Sequence, residues 1–218
     1  MTENRRIVLN ILATYGRSVF AMACGIFGGR WALMTLGQVD YGLQGLVGGL
    51  TAFIGFFNGV LAAAVGRFYA LSIGQSRTDE AAGLEESRRW FSIALLIHTV
   101  IPTVLLIAGW PLGEWAIRHF LTIPPDRIAP CLWVFRFSCV GCFIGMVSVP
   151  FNAFYGAKQL IAELTVYGFA TTTFNISLLY YMVTHPADWL VKYALWLTFL
   201  EIVPGLIITM RAILRFPE

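Results

Sequence analysis

Charged side chains are scarce in this chain, and their scarcity excludes most kinds of soluble protein. Asp, Glu, Lys and Arg make up 12% of the 218 residues and hydrophobic residues make up 58%, whereas soluble domains carry roughly 25% charged residues. The mean hydropathy is +0.73. Because such a fold has too little polar surface to stay dissolved, we exclude a soluble enzyme, a nucleic-acid-binding module and a disordered tail. We expect no nucleic-acid partner.

Cysteine is rare as well, and its placement excludes a disulfide framework. The four cysteines, each in an apolar stretch, are Cys24, Cys131, Cys139 and Cys142. Disulfide scaffolds belong to secreted domains, and a structural zinc site needs further ligands that no second cysteine or histidine pair supplies to Cys139 and Cys142. We therefore interpret the cysteines as small apolar side chains, and we expect no metal and no cofactor.

Motifs for catalysis are missing too. The chain has no G-x-S-x-G, no H-E-x-x-H, no glycine-rich phosphate loop and no carboxylate cluster that would hold a metal. No candidate nucleophile stands beside a base in the sequence. We expect a protein that is not an enzyme, and we assign no catalytic residue.

Long apolar runs are what the sequence has instead. A membrane-spanning helix needs about 20 apolar residues, and the runs that meet this length cover about residues 7–36, 43–73, 90–115, 131–155, 160–183 and 189–210. Glycine and aspartate favour a turn at 37–42, and Pro150 is expected to break or kink the end of the fourth run. The sequence predicts an all-α, polytopic membrane helix bundle with six transmembrane helices, forming a single domain over residues 1–218.

The distribution of lysine and arginine between the connecting segments predicts the orientation in the membrane. With a cytoplasmic N-terminus, the inner segments hold Arg5, Arg6, Arg77, Arg88, Arg89, Lys158, Arg211 and Arg215. The outer segments hold Arg118, Arg127 and Lys192. Because short cytoplasmic segments carry the excess of basic residues, we expect both termini in the cytoplasm.

Small and polar residues form a stripe on each of the first two predicted helices. The first stripe, at helical spacing, consists of Asn10, Thr14, Arg17, Ala21, Cys24 and Gly28. It predicts a face turned towards the bundle or a cavity. The second stripe consists of Gly45, Gly48, Gly49, Ala52, Gly55, Gly59, Ala62 and Gly66. It fits tight packing against neighbouring helices or a helix that slides or bends, and the sequence leaves both open.

Ionisable residues also lie inside the predicted spans. The basic ones are Arg17, Arg30, Arg67 and Arg136, and the acidic ones are Glu163 and Glu201. Such groups are costly in hydrocarbon, so they pair with one another or face water. Arg136 and Glu201 fit either a structural pair or a substrate role. Because guanidinium groups suit phosphate especially well, cations inside the bundle indicate an anionic substrate.

Several short motifs follow one another in an order that resembles a known family. They are Leu-Gly-Gln-Val-Asp-Tyr-Gly-Leu at 36–43 with Val-Gly-Gly at 47–49, Ala-Ala-Val-Gly-Arg-Phe at 63–68, Leu-Thr-Ile-Pro at 121–124 with Arg127, and Val-Pro-Phe-Asn-Ala at 149–153. Together they resemble the N-terminal lobe of the bacterial polysaccharide flippases. These are the O-antigen and capsule exporters of the multidrug/oligosaccharidyl-lipid/polysaccharide superfamily.

The resemblance implies a carrier in the bacterial cytoplasmic membrane that moves an undecaprenyl-diphosphate-linked oligosaccharide to the outer leaflet. Members do this by alternating access between two six-helix lobes around a cationic cavity. On that basis Arg17, Arg30 and Arg67 are candidates for contact with the diphosphate or a sugar acid, and Asn58 and Asn152 for contact with sugar hydroxyls. The implied partners are the lipid-linked oligosaccharide, membrane lipids, and a second six-helix lobe or a second copy of the chain.

Other hypotheses stay open beside the flippase. One is a small-molecule antiporter of the same superfamily, which needs a cavity carboxylate for a proton or sodium ion. The candidates for that ion-coupling role are Glu201 and Glu163. Another is a truncated, non-transporting remnant or a scaffold that docks onto a glycan-assembly complex. An intramembrane enzyme is the least favoured.

Overall fold

The computed structural model describes residues 3–75, 79–158 and 160–215. Within these ranges the chain is helical and contains no strand, which confirms the all-α prediction. Arg77, used above for the orientation, lies outside them. The helices are α1 (Glu3–Gln75), α2 (Glu80–His119), α3 (Ile128–Val147), α4 (Val149–Ala157), α5 (Ile161–Thr184) and α6 (Leu190–Arg215), with a short 3-10 turn at Pro125–Arg127.

Helix α1 contains the first two predicted spans and is interrupted at one residue. Gly37 has φ 74° and ψ 176°, a conformation that glycine adopts without the steric cost of a Cβ. The Tyr41 hydroxyl lies 3.9 Å from the Cβ position of Gly29, although twelve residues in a straight helix span about 18 Å. The chain therefore folds back at Gly37. We call residues 3–36 the first arm and residues 38–75 the second arm.

Two breaks expected from the sequence occur, and one is shorter than expected. The turn predicted at 37–42 contracts to Gly37, because residues 38–42 are already helical. The break expected at Pro150 is confirmed, since α3 ends at Val147 and α4 begins at Val149. Proline is well tolerated in the first turn of a helix, where its missing N–H leaves no helical hydrogen bond unmade.

Four helical stretches within the described residues are long and apolar enough to cross a membrane. They are Val8–Gly49, Ala81–His119, Pro125–Val147 and Leu190–Leu214. Many large apolar side chains on the outside of the helices are exposed, including Leu12, Ile26, Ile107 and Leu214. An exterior of this kind is what lipid contact requires, so a membrane protein with several spans is supported.

The six transmembrane helices predicted from the sequence are not all matched by these stretches, because the runs predicted at 43–73 and 160–183 have no stretch of their own among the residues that the structure describes. Helix α5 has 24 residues, which is enough for a span, but it is not among the four. Polar side chains at Thr171, Thr172, Thr173 and Asn175 lower its hydropathy. Three of them, Thr171, Thr172 and Asn175, line a cavity that is described below.

Three apolar clusters hold the helices together. The first joins the second arm, α2, α3 and α6 through residues that include Val47, Ile117, Val134 and Leu190. The second joins the first arm, α5 and α6 through Ala32, Leu179, Met182 and Tyr193. The third joins α4 and α6 through Phe151, Tyr155, Ile208 and Ala212.

Glycines permit close packing at some helix contacts but not along the second arm. The ring of Phe135 lies directly on Gly113, and Leu179 Cδ1 lies 3.3 Å from the Cβ position of Gly28. A Cβ would meet nothing within 4 Å at the second-arm glycines Gly45, Gly48, Gly49, Gly59 and Gly66. Tight packing is therefore the wrong interpretation for these positions, whereas sliding or bending of this arm stays a prediction.

Candidate functional site

A cavity of about 520 Å³ opens between the first arm, α5 and α6, and we call it cavity 1. Its first-arm wall consists of the small residues Ala21, Cys24, Gly25, Gly28 and Gly29. Three of them, Ala21, Cys24 and Gly28, belong to the stripe that the sequence predicts to face the bundle or a cavity. That prediction is confirmed for this part of the helix.

The rest of the wall of cavity 1 carries hydrogen-bonding side chains. They are Thr171, Thr172 and Asn175 from α5, Tyr41 from the second arm and Tyr193 from α6. The two threonine hydroxyls donate to a backbone carbonyl of their own helix at 3.0 and 2.9 Å, so their oxygens remain free to accept. The Oδ1 of Asn175 is buried without a partner. These groups suit water or a bound polar molecule.

Arg17 lies beside cavity 1. It stands one helical turn before Ala21, the first residue of the cavity wall, and its side chain crosses to α5. A Cβ at Gly168 would lie 2.6 Å from both Cδ and Nη1 of Arg17. The carbonyl of Gly168 is the one that Thr171 and Thr172 bond, so the guanidinium rests on α5 one turn from the polar wall.

Arg30 and Arg67 line neither cavity 1 nor the second cavity described below. Both are exposed, and neither forms an ion pair with another described residue. Arg67 precedes Phe68, whose ring stacks on Trp90 with centroids 3.9 Å apart. Arg17 is exposed as well and lines neither cavity, but its side chain contacts α5 at Gly168, one turn from the polar wall of cavity 1.

Asn152 and Glu163 contact other groups of the protein and line neither cavity 1 nor the second cavity described below. Asn152 Nδ2 donates to the backbone carbonyl of Ser148 at 3.2 Å. Glu163 Oε1 lies 2.9 Å from Arg211 Nη2, and Arg211 Nη1 donates to the Tyr167 hydroxyl at 3.1 Å. The Glu163 carboxylate thus ties α5 to α6, and an ion-coupling role for it gains no support from this geometry.

A second cavity, of about 390 Å³, lies between the second arm, α3 and α6, and we call it cavity 2. Gln44 and Asn58 stand on its second-arm wall, and the side-chain amide oxygens of both are buried without a hydrogen-bond partner. Fourteen residues in a helix span about 21 Å, so cavity 2 is elongated along this arm. The Asn58 amide, predicted to contact sugar hydroxyls, faces this space rather than cavity 1.

Glu201 lines both cavities. Its carboxylate rests on α3, because a Cβ at Gly141 would lie 2.6 Å from Oε2 and one at Gly145 would lie 3.1 Å from Oε1. These two glycines, one turn apart on α3, leave the room that the carboxylate occupies. Glu201 has no ion pair with another described residue.

Arg136 forms a pair with a different carboxylate from the one considered in the sequence. Its Nε lies 2.7 Å from Glu114 Oε1, and Trp110 Nε1 donates to the same oxygen at 2.9 Å. The guanidinium also lies over the Trp133 ring, 5.0 Å from its centroid. Arg136 therefore pairs with Glu114 on α2, and the predicted structural pair of Arg136 with Glu201 is wrong.

Arg127 joins three segments of the chain through carboxylates. Its Nη1 lies 2.9 Å from Asp188 Oδ2, and its Nε lies 3.3 Å from Asp40 Oδ1 and 3.8 Å from Asp126 Oδ2. Asp40 is buried at the start of the second arm, and Asp188 precedes α6. Two motifs that carry the family resemblance, at 36–43 and at 121–127, thus meet in one ion-pair cluster.

The polar wall of cavity 1 contains residues that the sequence interpretation missed. Tyr41, Thr171, Thr172, Asn175 and Tyr193 were not singled out, although the run of threonines followed by asparagine in an apolar span is a visible signal. Gln44 was missed as well. Single amides and hydroxyls are common in membrane helices, so their grouping becomes apparent only when three helices are packed together.

The chemistry of the two cavities differs. The Glu201 carboxylate is common to both, but cavity 1 has more hydroxyl groups, from Tyr41, Thr171, Thr172 and Tyr193, whereas cavity 2 has two unpartnered amide oxygens, those of Gln44 and Asn58. The described residues contain no group of three or more His, Cys, Asp or Glu that could hold a metal ion.

Comparisons of the chain with protein-family models, with curated proteins and with solved structures find no match.

Proposed function

We propose that the chain is one six-helix lobe of a carrier that moves an undecaprenyl-diphosphate-linked oligosaccharide across the bacterial cytoplasmic membrane by alternating access. The observation that carries the proposal is cavity 1, a space lined by hydroxyl and amide groups and the Glu201 carboxylate, with an arginine at its side, inside a bundle whose exterior is apolar. The resemblance of the sequence motifs to polysaccharide flippases supports it independently of the cavity.

Each part of such a substrate finds suitable chemistry in the bundle. The isoprenoid tail suits the exposed leucines and isoleucines of the helix exteriors. The diphosphate suits Arg17, because a guanidinium forms paired, charge-assisted hydrogen bonds to phosphate oxygens. The sugars suit Thr171, Thr172 and Asn175, and the volume of about 520 Å³ falls within the range of about 300–1,000 Å³ that small-molecule sites occupy.

The six spans in this proposal are the two arms of α1, then α2, α3 with α4, α5 and α6. Both termini lie in the cytoplasm, in keeping with the distribution of basic residues. A single lobe cannot enclose a route across the membrane, so a second six-helix lobe or a second copy of this chain completes the carrier.

Binding to the purified chain in lipid nanodiscs tests the proposal. Native mass spectrometry would compare the lipid-linked oligosaccharide, undecaprenyl diphosphate without sugar, and a phospholipid. We expect Arg17→Ala to weaken binding of both diphosphate lipids about 10- to 100-fold, since hydrogen bonds to charged groups contribute about 1.5–3 kcal/mol.

Variants of adjacent threonines separate sugar recognition from general damage to α5. Thr172 lines cavity 1, whereas Thr173 is exposed and is not part of its wall. We expect Thr172→Val to weaken binding of the oligosaccharide lipid about fivefold, the value of one hydrogen bond of about 1 kcal/mol, and Thr173→Val to leave it unchanged. Equal affinity of the wild-type chain for all three lipids would overturn the proposal of a carrier and favour the hypothesis of a scaffold.

A further inference from the structure

The ion pair between α2 and α3 leaves some of its hydrogen-bonding groups unused. Arg136 Nε lies 2.7 Å from Glu114 Oε1, and Trp110 Nε1 donates to the same oxygen at 2.9 Å. Within the part of the chain that the structure describes, Nη1 and Nη2 of Arg136 and Oε2 of Glu114 have no hydrogen-bond partner. Because a guanidinium has five N–H donors, four donors and one carboxylate oxygen remain open to another molecule.

This pair lies on the exterior of the bundle. Trp133, Arg136 and Val140 follow one another at helical spacing along one face of α3. Trp133 and Val140 are exposed, and the side chains of Arg136 and Glu114 are 29% and 19% exposed. The α3 residues that line cavity 2 occupy the opposite face, and they are Ser138, Cys142, Gly145 and Met146. The unused groups therefore point to a molecule outside the two cavities.

Tryptophans around the pair indicate the level of the lipid headgroups. The Trp133 ring lies under the Arg136 guanidinium, 5.0 Å from it, and the exposed Trp115 follows Glu114. Together with Trp110 they form the kind of aromatic group that is enriched at the boundary between membrane and water. Arg136 stands about 12 Å from the start of α3 and Glu114 about 8 Å from the end of α2, and a long basic side chain at such a depth reaches towards the headgroups.

We propose that Arg136 and Glu114 bind the headgroup of one phospholipid that carries ethanolamine. The Nη groups of Arg136 donate to its phosphate, and Oε2 of Glu114 accepts from its ammonium. The planar guanidinium offers paired donors that match phosphate oxygens, and the contacts with Glu114 and Trp133 hold it in one orientation. The site is separate from both cavities, and it does not depend on the proposed transport of a lipid-linked glycan.

The free carboxylate oxygen favours ethanolamine over other headgroups. One positive and one negative group side by side match a zwitterion, whose ammonium supplies N–H donors to Oε2 of Glu114. A choline headgroup has the same charges but no N–H. Attraction by net charge alone would instead favour phosphatidylglycerol, because the exposed Arg118 stands one turn after Glu114 and gives the three side chains a positive sum.

A methylation series of lipids tests the site on the unmodified full chain. Native mass spectrometry of the purified protein would compare phosphatidylethanolamine, its N-monomethyl and N,N-dimethyl forms, and phosphatidylcholine. Phosphate and net charge stay constant along the series, whereas the N–H donors of the ammonium fall from three to none. We expect the affinity to fall stepwise, by about tenfold over the whole series, the value of one hydrogen bond between charged groups.

Variants assign the two halves of the headgroup. Glu114→Gln should largely abolish the preference for ethanolamine over choline, because a neutral amide oxygen attracts the ammonium less. Arg136→Lys keeps the charge but loses the paired donors, so it should weaken binding of all four lipids about tenfold. Arg118→Gln is the matched control, since it removes the neighbouring charge and leaves the ion pair intact, and it should preserve the preference.

Two results would overturn the proposal. One is equal affinity of the unmodified chain for all members of the series, which would leave only general contact with lipid. The other is tighter binding of phosphatidylglycerol than of phosphatidylethanolamine that is lost in Arg118→Gln, which would show attraction by net charge. Both results come from the unmodified chain or from an exposed position, so they stay decisive even if Glu114→Gln or Arg136→Lys does not fold.

Discussion

Arg127 connects several segments of the bundle through ion pairs. Its guanidinium contacts carboxylates at Asp40, Asp126 and Asp188, which belong to three separate segments. The Asp40 side chain is 8% exposed and that of Arg127 is 29% exposed. Because the Asp40 carboxylate is buried, its charge relies on Arg127, and removal of the arginine leaves that charge without a cation in this cluster.

We therefore expect Arg127→Ala to lower the free energy of unfolding by about 2 kcal/mol, less than the 3–5 kcal/mol for a fully buried pair because Arg127 is partly exposed. Arg118→Ala, at an exposed residue on α2, should change stability little. The midpoint of thermal unfolding of both variants, in one detergent, checks this. Equal midpoints for Arg127→Ala and the unmodified chain would show that the cluster does not fasten the segments.

Individual residues also mark the limit of what the sequence could predict. The wall formed by Ala21, Cys24 and Gly28 was predictable, because small residues at helical spacing place them on one face of the first arm. The partner of Arg136 was not, because the choice between Glu114 and Glu201 depends on the rotation of α2 and α6 around their axes. Packing against neighbouring helices, and not a hydrophobic pattern, sets how an apolar helix in lipid is rotated about its axis. The sequence therefore does not reveal which carboxylate pairs with Arg136.

The hairpin in α1 depends on the backbone of one residue. Gly37 is the residue with a positive φ among the described glycines, and an L-residue with a Cβ is strained there by about 1–3 kcal/mol. We expect Gly37→Ala to lower the apparent Tm and to increase the rate of proteolysis between the two arms. Measurements of both on the purified chain check the expectation.

Gly42→Ala provides the matched control for Gly37→Ala. Gly42 lies in the helical part of the second arm, and a Cβ there meets nothing within 4 Å. Because alanine is the better helix former by roughly 0.5–1 kcal/mol, we expect unchanged or slightly raised stability. A loss as large as that of Gly37→Ala would mean that the hairpin does not depend on the backbone of Gly37.

Helix α5 shows why it is easier to predict that a segment is a helix than to predict which site the helix lines. Its bounds are close to the predicted run of 160–183, since a long, mostly apolar run between turns specifies a helix. The contribution of Thr171, Thr172 and Asn175 to the polar wall of cavity 1 was missed, because threonines in helices commonly bond their own backbone, as Thr171 and Thr172 do here. The packing of the first arm and α6 against them gives them a shared space.

At the scale of the whole molecule, the bundle has an apolar exterior and contains two polar cavities, cavity 1 and cavity 2. The helical fold and the membrane-compatible exterior follow from composition and run length. A cavity lined by the three arginines is not found in the described part of the chain, because Arg17, Arg30 and Arg67 line neither of these spaces. Hydropathy does not distinguish an arginine that faces the interior from one that reaches the membrane surface.

The central claim is that cavity 1 receives the sugar of a lipid-linked substrate, and photo-cross-linking tests it most directly. A lipid-linked oligosaccharide with a photoreactive group on its sugar would be bound to the chain in nanodiscs, and the labelled peptides identified by mass spectrometry. The account predicts labels at Thr171–Asn175 and Ala21–Ala32, reduced by Arg17→Ala. Labels restricted to the lipid-exposed faces, such as Leu12 and Ile107, would contradict it.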